Sequence, residues 1–430
     1  MPKEPLRIGL AGLGTVGSGL ARLLKEEETS WQKMRLDREI VITRVLERNQ
    51  ALRDKNLVSA DVPFMTDPTA FAASPDIDVV VELIGGTVTA GTVIRTALES
   101  GRHVVTANKA LLATQGRELF RLAAGNNLHL CYEASVAGGI PIVQTLKTTL
   151  AGNRIRSLQG ILNGTANFIL TRMTDKGLDF SSALKQAQEY GFAEADPTLD
   201  IEGGDSAHKL QLLIRLAFGL DYPLEALPVS GISGVADMDI RFAAEFGYAI
   251  KLIAEAKTAG DRVEAGVFAA LVSHSDTLSS VDGSFNAVRL NGQAGPIVLH
   301  GYGAGSLPTA SAVLSDIMAI ARGDQPDNTG FAGLDELPEA RVLSRDQTVS
   351  SYYFRLMAPD EPGVLGKLAG AMGRRGISIA QMVQKAPERM SAALIVILTH
   401  QTQAADVHKA LKDIQKLDLP KAAPVCFRIL

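Results

Sequence analysis

The fold is decided by one stretch near the amino terminus, Leu6-Arg7-Ile8-Gly9-Leu10-Ala11-Gly12-Leu13-Gly14-Thr15-Val16-Gly17. Residues 6–10 form an apolar strand, and the leucines at positions 20, 23 and 24 have helical spacing. Glycines between a strand and a helix let the backbone turn tightly and approach a pyrophosphate, whose charge is stabilised at a helix N-terminus. The stretch therefore predicts the first turn of a dinucleotide-binding domain.

Strand and helix continue to alternate up to about residue 135. The apolar patterns predict strands at 39–46, 77–84, 103–106 and 128–133, and helices at 18–28, 93–100 and 115–124. The near-continuous apolar run at 77–84 is typical of a strand that is covered on both faces. We therefore predict an α/β fold that begins with a Rossmann-type doubly wound parallel sheet over residues 1–135.

Two further domains follow in the prediction. Residues 136–305 form a second α/β domain with a mixed sheet, for substrate binding and dimerisation, and the helix within 306–322 returns to complete the first domain. The polar segment 323–349 is a linker. Residues 350–430 follow the order strand-helix-strand-strand-helix-strand, which predicts a ferredoxin-like βαββαβ unit.

Composition excludes several classes of protein. The chain has 430 residues, 46% of them hydrophobic and 21% charged, as in ordinary globular proteins. With 43 basic and 47 acidic residues the net charge is −4, so a general basic surface for nucleic acid is not expected. Two cysteines cannot form a disulfide framework or a zinc ribbon. Without a membrane-length apolar run or a signal-peptide pattern, we expect a cytoplasmic protein.

Two neighbouring residues at the end of the second strand bear on the choice of dinucleotide. Glu47 is a carboxylate that would accept from the ribose hydroxyls of NAD, whereas Arg48 would pair with the 2′-phosphate of NADP. Neighbours on a strand point to opposite faces, so we expect only one of them to face the adenosine. We favour Arg48 and NADP, and keep NAD as the alternative.

The carboxyl ends of the next strands carry two polar motifs. One strand ends in Val81-Glu82-Leu83-Ile84-Gly85-Gly86, and the following strand ends in Thr106-Ala107-Asn108-Lys109-Ala110. Ligands of open α/β sheets bind at this edge. Lys109 is thus a candidate for contact with the nicotinamide ribose or a substrate oxygen; the alternative is a lysine in a surface loop.

The segment from Gly191 to Lys209 is the most densely charged part of the chain, with five carboxylates within twelve residues. Asp205 lies where a helix is predicted to begin, and Lys209 follows at i+4 on the same helical face. The pair is suited to orienting an ammonium group toward a substrate hydroxyl, although a surface ion pair gives the same pattern. Asn163-Gly164-Thr165 supplies amide and hydroxyl groups for a helix cap or a substrate wall.

These motifs together resemble bacterial homoserine dehydrogenases. The resemblance rests on the glycine loop, on Asn108-Lys109 and on three longer runs: Glu133-Ala134-Ser135-Val136-Ala137-Gly138-Gly139-Ile140-Pro141, Asn163-Gly164-Thr165 and Gly191-Phe192-Ala193-Glu194-Ala195-Asp196-Pro197. It extends through Gly303-Ala304-Gly305. It implies reversible hydride transfer between L-homoserine and L-aspartate 4-semialdehyde with NAD(P), in threonine, methionine and isoleucine biosynthesis.

The resemblance also implies roles for individual residues. Glu194 would hold the substrate ammonium, Asp205 would lie at the hydroxyl, and Lys209 would donate or accept the proton. Cofactor contacts would come from Gly12, Gly14, Thr15, Val16, Gly17, Lys109 and Gly305. A sodium site would be formed by Glu133, Val136, Gly138 and Ile140, largely through carbonyl oxygens, which hard cations prefer.

The proton chemistry leaves a choice open. A free lysine has a pKa of ~10.4 and is protonated at neutral pH. Lys209 or Lys109 must therefore lose its proton in the closed site, or a water must relay it. Two converging ammonium groups lower each other's pKa, whereas Asp205 opposes that shift.

The C-terminal unit resembles an ACT regulatory domain through Asp360-Glu361-Pro362-Gly363-Val364-Leu365 and Gly376-Ile377-Ser378-Ile379. The resemblance implies an effector site that includes Asp360, Pro362, Gly363 and Ile377, and threonine as a feedback inhibitor. A dimerisation module without a ligand is the alternative. We expect a homodimer or homotetramer rather than a monomer.

Two other functions fit parts of the pattern. An acyl-phosphate-dependent aldehyde dehydrogenase would need a cysteine nucleophile, and neither Cys131 nor Cys426 has a convincing base nearby in sequence. A catalytically inactive amino-acid sensor that binds NAD(P) is the second alternative. The argument against it is the presence of Lys109, Glu194, Asp205 and Lys209.

Overall fold

The computed structural model of the chain describes residues 4–26, 36–53, 55, 57–331, 337–385, 392–417, 419 and 422–430. The first three residues, the predicted helix end at 27–28 and residues 332–336 of the predicted linker lie outside this part. Within it, the helices are all too short or too polar to cross a membrane.

The strands of the described chain are numbered in sequence order. They are β1 Leu6–Ala11, β2 Ile40–Leu46, β3 Phe64–Met65, β4 Val79–Glu82, β5 His103–Thr106, β6 Leu130–Cys131, β7 Ile155–Ile161, β8 Tyr248–Ala259, β9 Arg262–Ser273, β10 Phe285–Gly292, β11 Gly295–Tyr302, β12 Val349–Pro359, β13 Ile379–Lys385, β14 Ala392–Thr399, β15 Thr402–Gln403 and β16 Val425–Ile429.

The α-helices are numbered in the same way. They are α1 Thr15–Glu26, α2 Gln50–Arg53, α3 Pro68–Ala72, α4 Val88–Glu99, α5 Lys109–Gly125, α6 Ile142–Gln144, α7 Gly164–Lys176, α8 Phe180–Glu189, α9 Thr198–Ile201, α10 Gly204–Phe218, α11 Asp237–Glu245, α12 Ser306–Arg322, α13 Val364–Gly373 and α14 Ala404–Gln415. A π-helical turn at Thr145–Thr149 continues α6.

The chain divides into two compact units. The first contains Met1–Leu158, His208–Glu225 and Asn286–Ala340, and the second contains Gln159–Ala207, Ala226–Phe285 and Arg341–Leu430. The division passes through β7, α10 and β10, so three elements contribute residues to both units.

The first unit is built on a six-stranded sheet in the order β3-β2-β1-β4-β5-β6. Every neighbouring pair is parallel, as the alternation of strand and helix predicts. This is the Rossmann strand order, which brings the carboxyl ends of β1 and β4 side by side. The predicted doubly wound parallel sheet is confirmed.

Helix α12 belongs to the core of this first unit although it lies far along the chain. Its residues Val313 and Ile317 are fully buried in one cluster with Leu10 and Leu20 of β1 and α1. Ser306, the first residue of α12, donates a hydrogen bond to the carbonyl oxygen of Thr15 over 2.7 Å. The helix therefore covers α1 next to the glycine loop.

The second unit contains a mixed sheet. Strands β8 and β9 form a long antiparallel hairpin, and the sheet continues in the order β9-β16-β12-β14-β13. The pair β9–β16 is parallel, whereas β12 pairs antiparallel with both β16 and β14. The C-terminal segment has the predicted βαββαβ order, with the two-residue strand β15 in addition.

A buried carboxylate connects α11 to the C-terminal segment. Asp239 is completely buried and accepts hydrogen bonds from the Tyr353 hydroxyl (2.8 Å) and from Nε of Arg355 (2.6 Å). It also accepts from the backbone N–H of Ala236 at the start of the helix. Burial and the adjacent carboxylate raise the pKa of Tyr353, which keeps the phenol protonated and able to donate.

Several element boundaries differ from the prediction. Helices α4 and α5 begin earlier than predicted, at Val88 and Lys109. The side chain of Asn108 caps α5 by accepting the N–H of Leu111. The predicted strand 128–133 is reduced to Leu130–Cys131, and a 3₁₀ turn follows at Glu133–Ser135. Helix α11 and strand β8 were not predicted.

We expect Asp239→Ala to lower the free energy of unfolding by about 3 kcal/mol or more, because it leaves a buried phenol and a largely buried guanidinium without their acceptor. Chemical denaturation measures this loss. The control is Asp237→Ala, which removes an exposed i,i+4 pair with Arg241 and is expected to cost less than about 1 kcal/mol. Equal losses in the two variants would contradict the assignment.

Candidate functional site

The glycine loop after β1 has a shape that suits a pyrophosphate. Gly12 has a φ of +99°, and a methyl group on Gly17 would lie 2.0 Å from the carbonyl oxygen of Gly12, so both positions require glycine. A methyl group on Gly14 would meet no atom within 4 Å, so this position faces open space. The residues present therefore fit a dinucleotide whose phosphates approach the amino end of α1.

The end of β2 places Glu47 against this loop. Its Oε2 accepts the backbone N–H of Leu13 over 2.9 Å, and its Oε1 accepts that of Asn49 over 2.8 Å. Arg48, the next residue, is exposed to solvent. Glu47 thus fixes the backbone of the glycine loop, while Arg48 extends outward from the strand end.

The carboxyl ends of β4 and β5 are joined by hydrogen bonds. Glu82 is completely buried and accepts the hydroxyl of Thr106 over 2.6 Å. Asn108 accepts the N–H of Leu111 and so caps α5, whose first residue is the half-buried Lys109. Lys109 therefore lies on the first turn of a helix at the ligand-binding edge of the sheet, and not in a surface loop as the alternative has it.

In the second unit, Asn163 connects two carboxylates of the acidic segment. Its Nδ2 donates to Oδ2 of Asp205 over 2.9 Å and to Oδ1 of Asp200 over 2.6 Å. Its Oδ1 accepts the N–H of Ala166 and caps α7. Asn163 and Asp205 are both buried, and one amide thus fixes a carboxylate at the start of α10.

Helix α10 begins at Gly204, as the sequence predicts for the region of Asp205. Lys209 lies one turn later on the same helix and is 8% exposed. Asp205 and Lys209 therefore share a helical face with most of their surface removed from water. This burial argues against the alternative of a surface ion pair.

Glu194 lies in the loop between α8 and α9 and is exposed. Thr165 at the start of α7 donates to the carbonyl oxygen of Phe192 over 2.6 Å, and Gln188 donates to the carbonyl oxygen of Glu194. The loop is thus attached to the same end of α7 that Asn163 caps. The role of Glu194 stays a prediction.

The predicted sodium residues lie in a tight loop of the first unit. Ala137 and Gly138 have φ values of +54° and +56°, and a methyl group on Gly138 would lie 2.4 Å from the carbonyl oxygen of Gly303. The Glu133 carboxylate accepts the N–H groups of Val143 and Gln144 at the start of α6. Together with Val136 and Ile140, the side chain and backbone of this loop provide oxygen atoms as metal ligands, which suits a hard cation.

A second buried carboxyl group lies against this loop. Asp316 of α12 accepts the N–H of Glu133 over 2.9 Å. Burial, together with the charge of Glu133, raises the pKa of Asp316 to about 7, and burial also raises the pKa of Glu133. Burial lowers the pKa of the nearby Lys147, but the acidic groups around it, led by Tyr132 and Cys131, raise that pKa overall.

The two cysteines are poorly suited to nucleophilic chemistry. Burial raises the pKa of the Cys131 thiol far above neutrality, and burial raises that of Cys426 to about 12. The thiolate, not the thiol, is the reactive form. The alternative of an aldehyde dehydrogenase with a cysteine nucleophile therefore lacks structural support.

The predicted effector residues fall into two environments. Asp360, Pro362 and Gly363 line an open cavity of about 350 Å³ at the amino end of α13, where Gln384 donates to Asp360 over 2.8 Å. Ile377 is instead 3% exposed and belongs to the hydrophobic core between the sheet and its helices. Its predicted contact with an effector is not supported by this position.

Sequence reasoning left two residues out of the candidate site. The sequence predicts a helix cap or a substrate wall for Asn163 and places Asp200 among five carboxylates, but it connects neither to Asp205. The hydrogen bonds of Asn163 join it to Asp200, which lies 37 positions later in the sequence, and to Asp205, which lies 42 positions later. No local pattern encodes such a contact.

Comparisons with known proteins agree with this architecture. Residues 12–133 match the NAD-binding domain of homoserine dehydrogenases, residues 141–318 match the homoserine dehydrogenase family and residues 352–419 match the ACT domain. The homoserine dehydrogenase of Neisseria gonorrhoeae is 44% identical over 421 residues, covering 96% of both chains. A crystal structure of a homoserine dehydrogenase from Thiobacillus denitrificans superimposes with a TM-score of 0.93 at 40% identity, covering 100% of this chain and 99% of the other.

A more distant solved structure is of a hyperthermophilic archaeal homoserine dehydrogenase in complex with NADPH. It is 25% identical with a TM-score of 0.63, and covers 76% of this chain and 99% of its own.

We expect Asp316 to make folding pH-dependent between about pH 4 and 7. Its folded pKa of about 7 lies above its ordinary value of 3.8, so the native state binds the extra proton and stability falls as pH rises through this window. Asp316→Asn removes this dependence. Denaturant titrations in sodium-free buffer should show the wild type losing stability relative to the variant from pH 4 to 7 and not above. Parallel curves would contradict the assignment.

Proposed function

The chain belongs to the homoserine dehydrogenase family, and we propose that it interconverts L-homoserine and L-aspartate 4-semialdehyde in threonine, methionine and isoleucine biosynthesis. The observation that carries the proposal is the amide of Asn163, which fixes Asp205 at the start of the helix that bears Lys209. This arrangement supplies a buried carboxylate and a buried ammonium on one helical face.

The nicotinamide cofactor supplies the hydride chemistry when it is bound. The protein's part is to bind and orient. Gly12, Gly14 and Gly17 bring the backbone close to the pyrophosphate, with Thr15 and Val16 on the first turn of α1. Gly305, which precedes α12 with a φ of +122°, is proposed to contact the cofactor from the helix that covers α1.

The protein must also move one proton. We assign the transfer to Lys209, with Asp205 orienting the substrate hydroxyl and Lys109 contacting the substrate or the nicotinamide ribose. Glu194 is proposed to hold the substrate ammonium. Lys209 is 8% exposed and Lys109 is half-buried, so neither ammonium group is fully surrounded by water.

NADP is the proposed cofactor. Each oxygen of the Glu47 carboxylate accepts one backbone N–H, so this side chain shapes the loop. The exposed Arg48 is the cation at the end of β2 that suits a 2′-phosphate.

Two regulatory features complete the proposal. A sodium ion suits the oxygen donors of the loop formed by residues 133–140. L-Threonine is the proposed effector, because its carboxylate suits the backbone amides at the amino end of α13 beside the cavity lined by Asp360 and Gly363. The test of this effector is whether L-threonine inhibits the oxidation of L-homoserine by the protein. A homodimer or homotetramer is the proposed assembly.

The decisive experiment is spectrophotometric oxidation of L-homoserine with NADP. We expect Lys209→Ala to lower kcat by about 100-fold or more, as for loss of a general base. Lys185→Ala, which removes an exposed lysine of α8, serves as the control and should leave kcat unchanged. A kcat within tenfold of the wild type would remove Lys209 from the chemistry. Cofactor binding by the wild type without turnover would support the inactive sensor instead.

A second experiment tests the choice of cofactor. Arg48→Ala should raise KM for NADP about tenfold or more and leave KM for NAD unchanged, because only NADP offers a phosphate to the guanidinium. Arg44→Ala is the matched control, because Arg44 lies on β2 itself and is paired with Asp76. An equal effect on both cofactors would show that Arg48 does not read the 2′-phosphate.

A further inference from the structure

A closed ring of hydrogen bonds starts from Glu82 at the end of β4. Its Oε1 accepts the backbone N–H groups of Ile84 (2.8 Å) and Gly85 (3.1 Å). Its Oε2 accepts the Thr106 hydroxyl over 2.6 Å. One carboxylate thus links the turn after its own strand to the end of the neighbouring strand.

The ring continues through Asn108. Thr106 Oγ1 accepts the N–H of Asn108 over 3.0 Å, and Nδ2 of Asn108 donates to the carbonyl oxygen of Gly86 over 2.7 Å. The same asparagine caps α5, which begins at Lys109. The turn formed by Ile84, Gly85 and Gly86 and the first turn of α5 therefore have fixed positions relative to each other.

The chemistry of the ring calls for a carboxylate. Three donors converge on Glu82, and an ionised carboxylate can accept all of them because it carries no proton to donate. Glu82 and Thr106 are both 0% exposed, and burying a charge is costly unless hydrogen bonds replace its water. An apolar residue would be a simpler way to fill the end of a buried strand.

The turn that Glu82 holds lies beside the glycine loop. A methyl group on Gly12 would lie 2.8 Å from the carbonyl oxygen of Leu83 and 3.2 Å from the nitrogen of Ile84. Beyond the turn, added methyl groups on Gly85 and Gly86 would meet no atom within 4 Å, and the apolar Ile84 is 40% exposed. The turn and the glycine loop thus form one continuous rim around open space.

From these contacts we infer that Glu82 is a positioning residue of the catalytic site. It acts through Thr106 and Asn108 to hold both the rim formed by residues 84–86 and the helix start at Lys109. The rim receives the nicotinamide half of the cofactor, and Lys109 keeps its place at the reacting groups. This inference rests on the proposed dehydrogenase function.

The first test compares Glu82→Gln and Glu82→Ala with the wild type. Glutamine keeps the shape but replaces one acceptor with a donor, so we expect kcat to fall about tenfold or more and the Kd for NADPH to rise at least threefold. NADPH binding is measured by the cofactor's own fluorescence without homoserine. Asp78→Asn is the matched control, because Asp78 is a carboxylate bound to Arg7 just before the amino end of the same strand.

The second test uses Thr106, which remains informative if Glu82→Ala fails to fold. Thr106→Val keeps the shape of a strand residue without the hydroxyl and should reproduce the losses of Glu82→Gln. Thr106→Ser restores the hydroxyl and should return kcat and Kd to within twofold of the wild type. When the variants have the same thermal stability as the wild type, a merely structural role of Thr106 predicts no loss in Thr106→Val and therefore nothing for Thr106→Ser to restore.

The inference is overturned if Glu82→Gln and Thr106→Val keep both kcat and the Kd for NADPH within twofold of the wild type. It is also overturned if Asp78→Asn loses as much as Glu82→Gln. Homoserine turnover by the wild type decides the proposed function separately. NADPH affinity does not require that turnover, so the two failures are distinguishable.

Discussion

The close approach of α1 to the end of β1 is the constraint on which the first unit depends. Because Gly17 has no side chain, the helix reaches the carbonyl oxygen of Gly12, where a methyl group would leave only 2.0 Å. Gly19 on the same helix lets Ser306 of α12 approach in turn, since a methyl group there would lie 2.6 Å from the serine oxygen. The consecutive elements β1 and α1 and the distant helix α12 thereby pack around a loop with open space in front of it.

Buried carboxylates organise the surroundings of that loop and of the second unit in one common way. Glu82 accepts backbone N–H groups at a turn, and Glu133 accepts them at the start of α6. Asp239 accepts one at the start of α11 together with a phenol and a guanidinium. Each replaces lost water with several donors, which is the condition for keeping a charge inside a protein. The free-energy cost of burying such a group is offset by its hydrogen bonds, which hold a turn or a helix start in one position.

Most of the architecture could be predicted because it is encoded locally. The parallel sheet follows from alternating apolar segments, and the βαββαβ order from short periodic runs. The boundaries were less accurate where a side chain decides them: α5 begins at Lys109 because Asn108 caps it, although the motif alone was compatible with a loop. Strand β8 was missed because it is buried on both faces and carries Lys251 and Glu255, so its pattern does not alternate.

The sequence by itself determined the glycine loop, the i,i+4 placement of Asp205 and Lys209 and the family of the chain, since these depend on neighbours along the backbone. Only the tertiary structure decided that Glu47 is committed to the N–H of Leu13, that Asn163 connects Asp200 to Asp205, and that Ile377 lies in a core. Side-chain hydrogen bonds and burial are set by packing between segments distant in sequence. A one-dimensional pattern names the groups that can pair, but it does not choose among partners that folding alone brings within 3 Å.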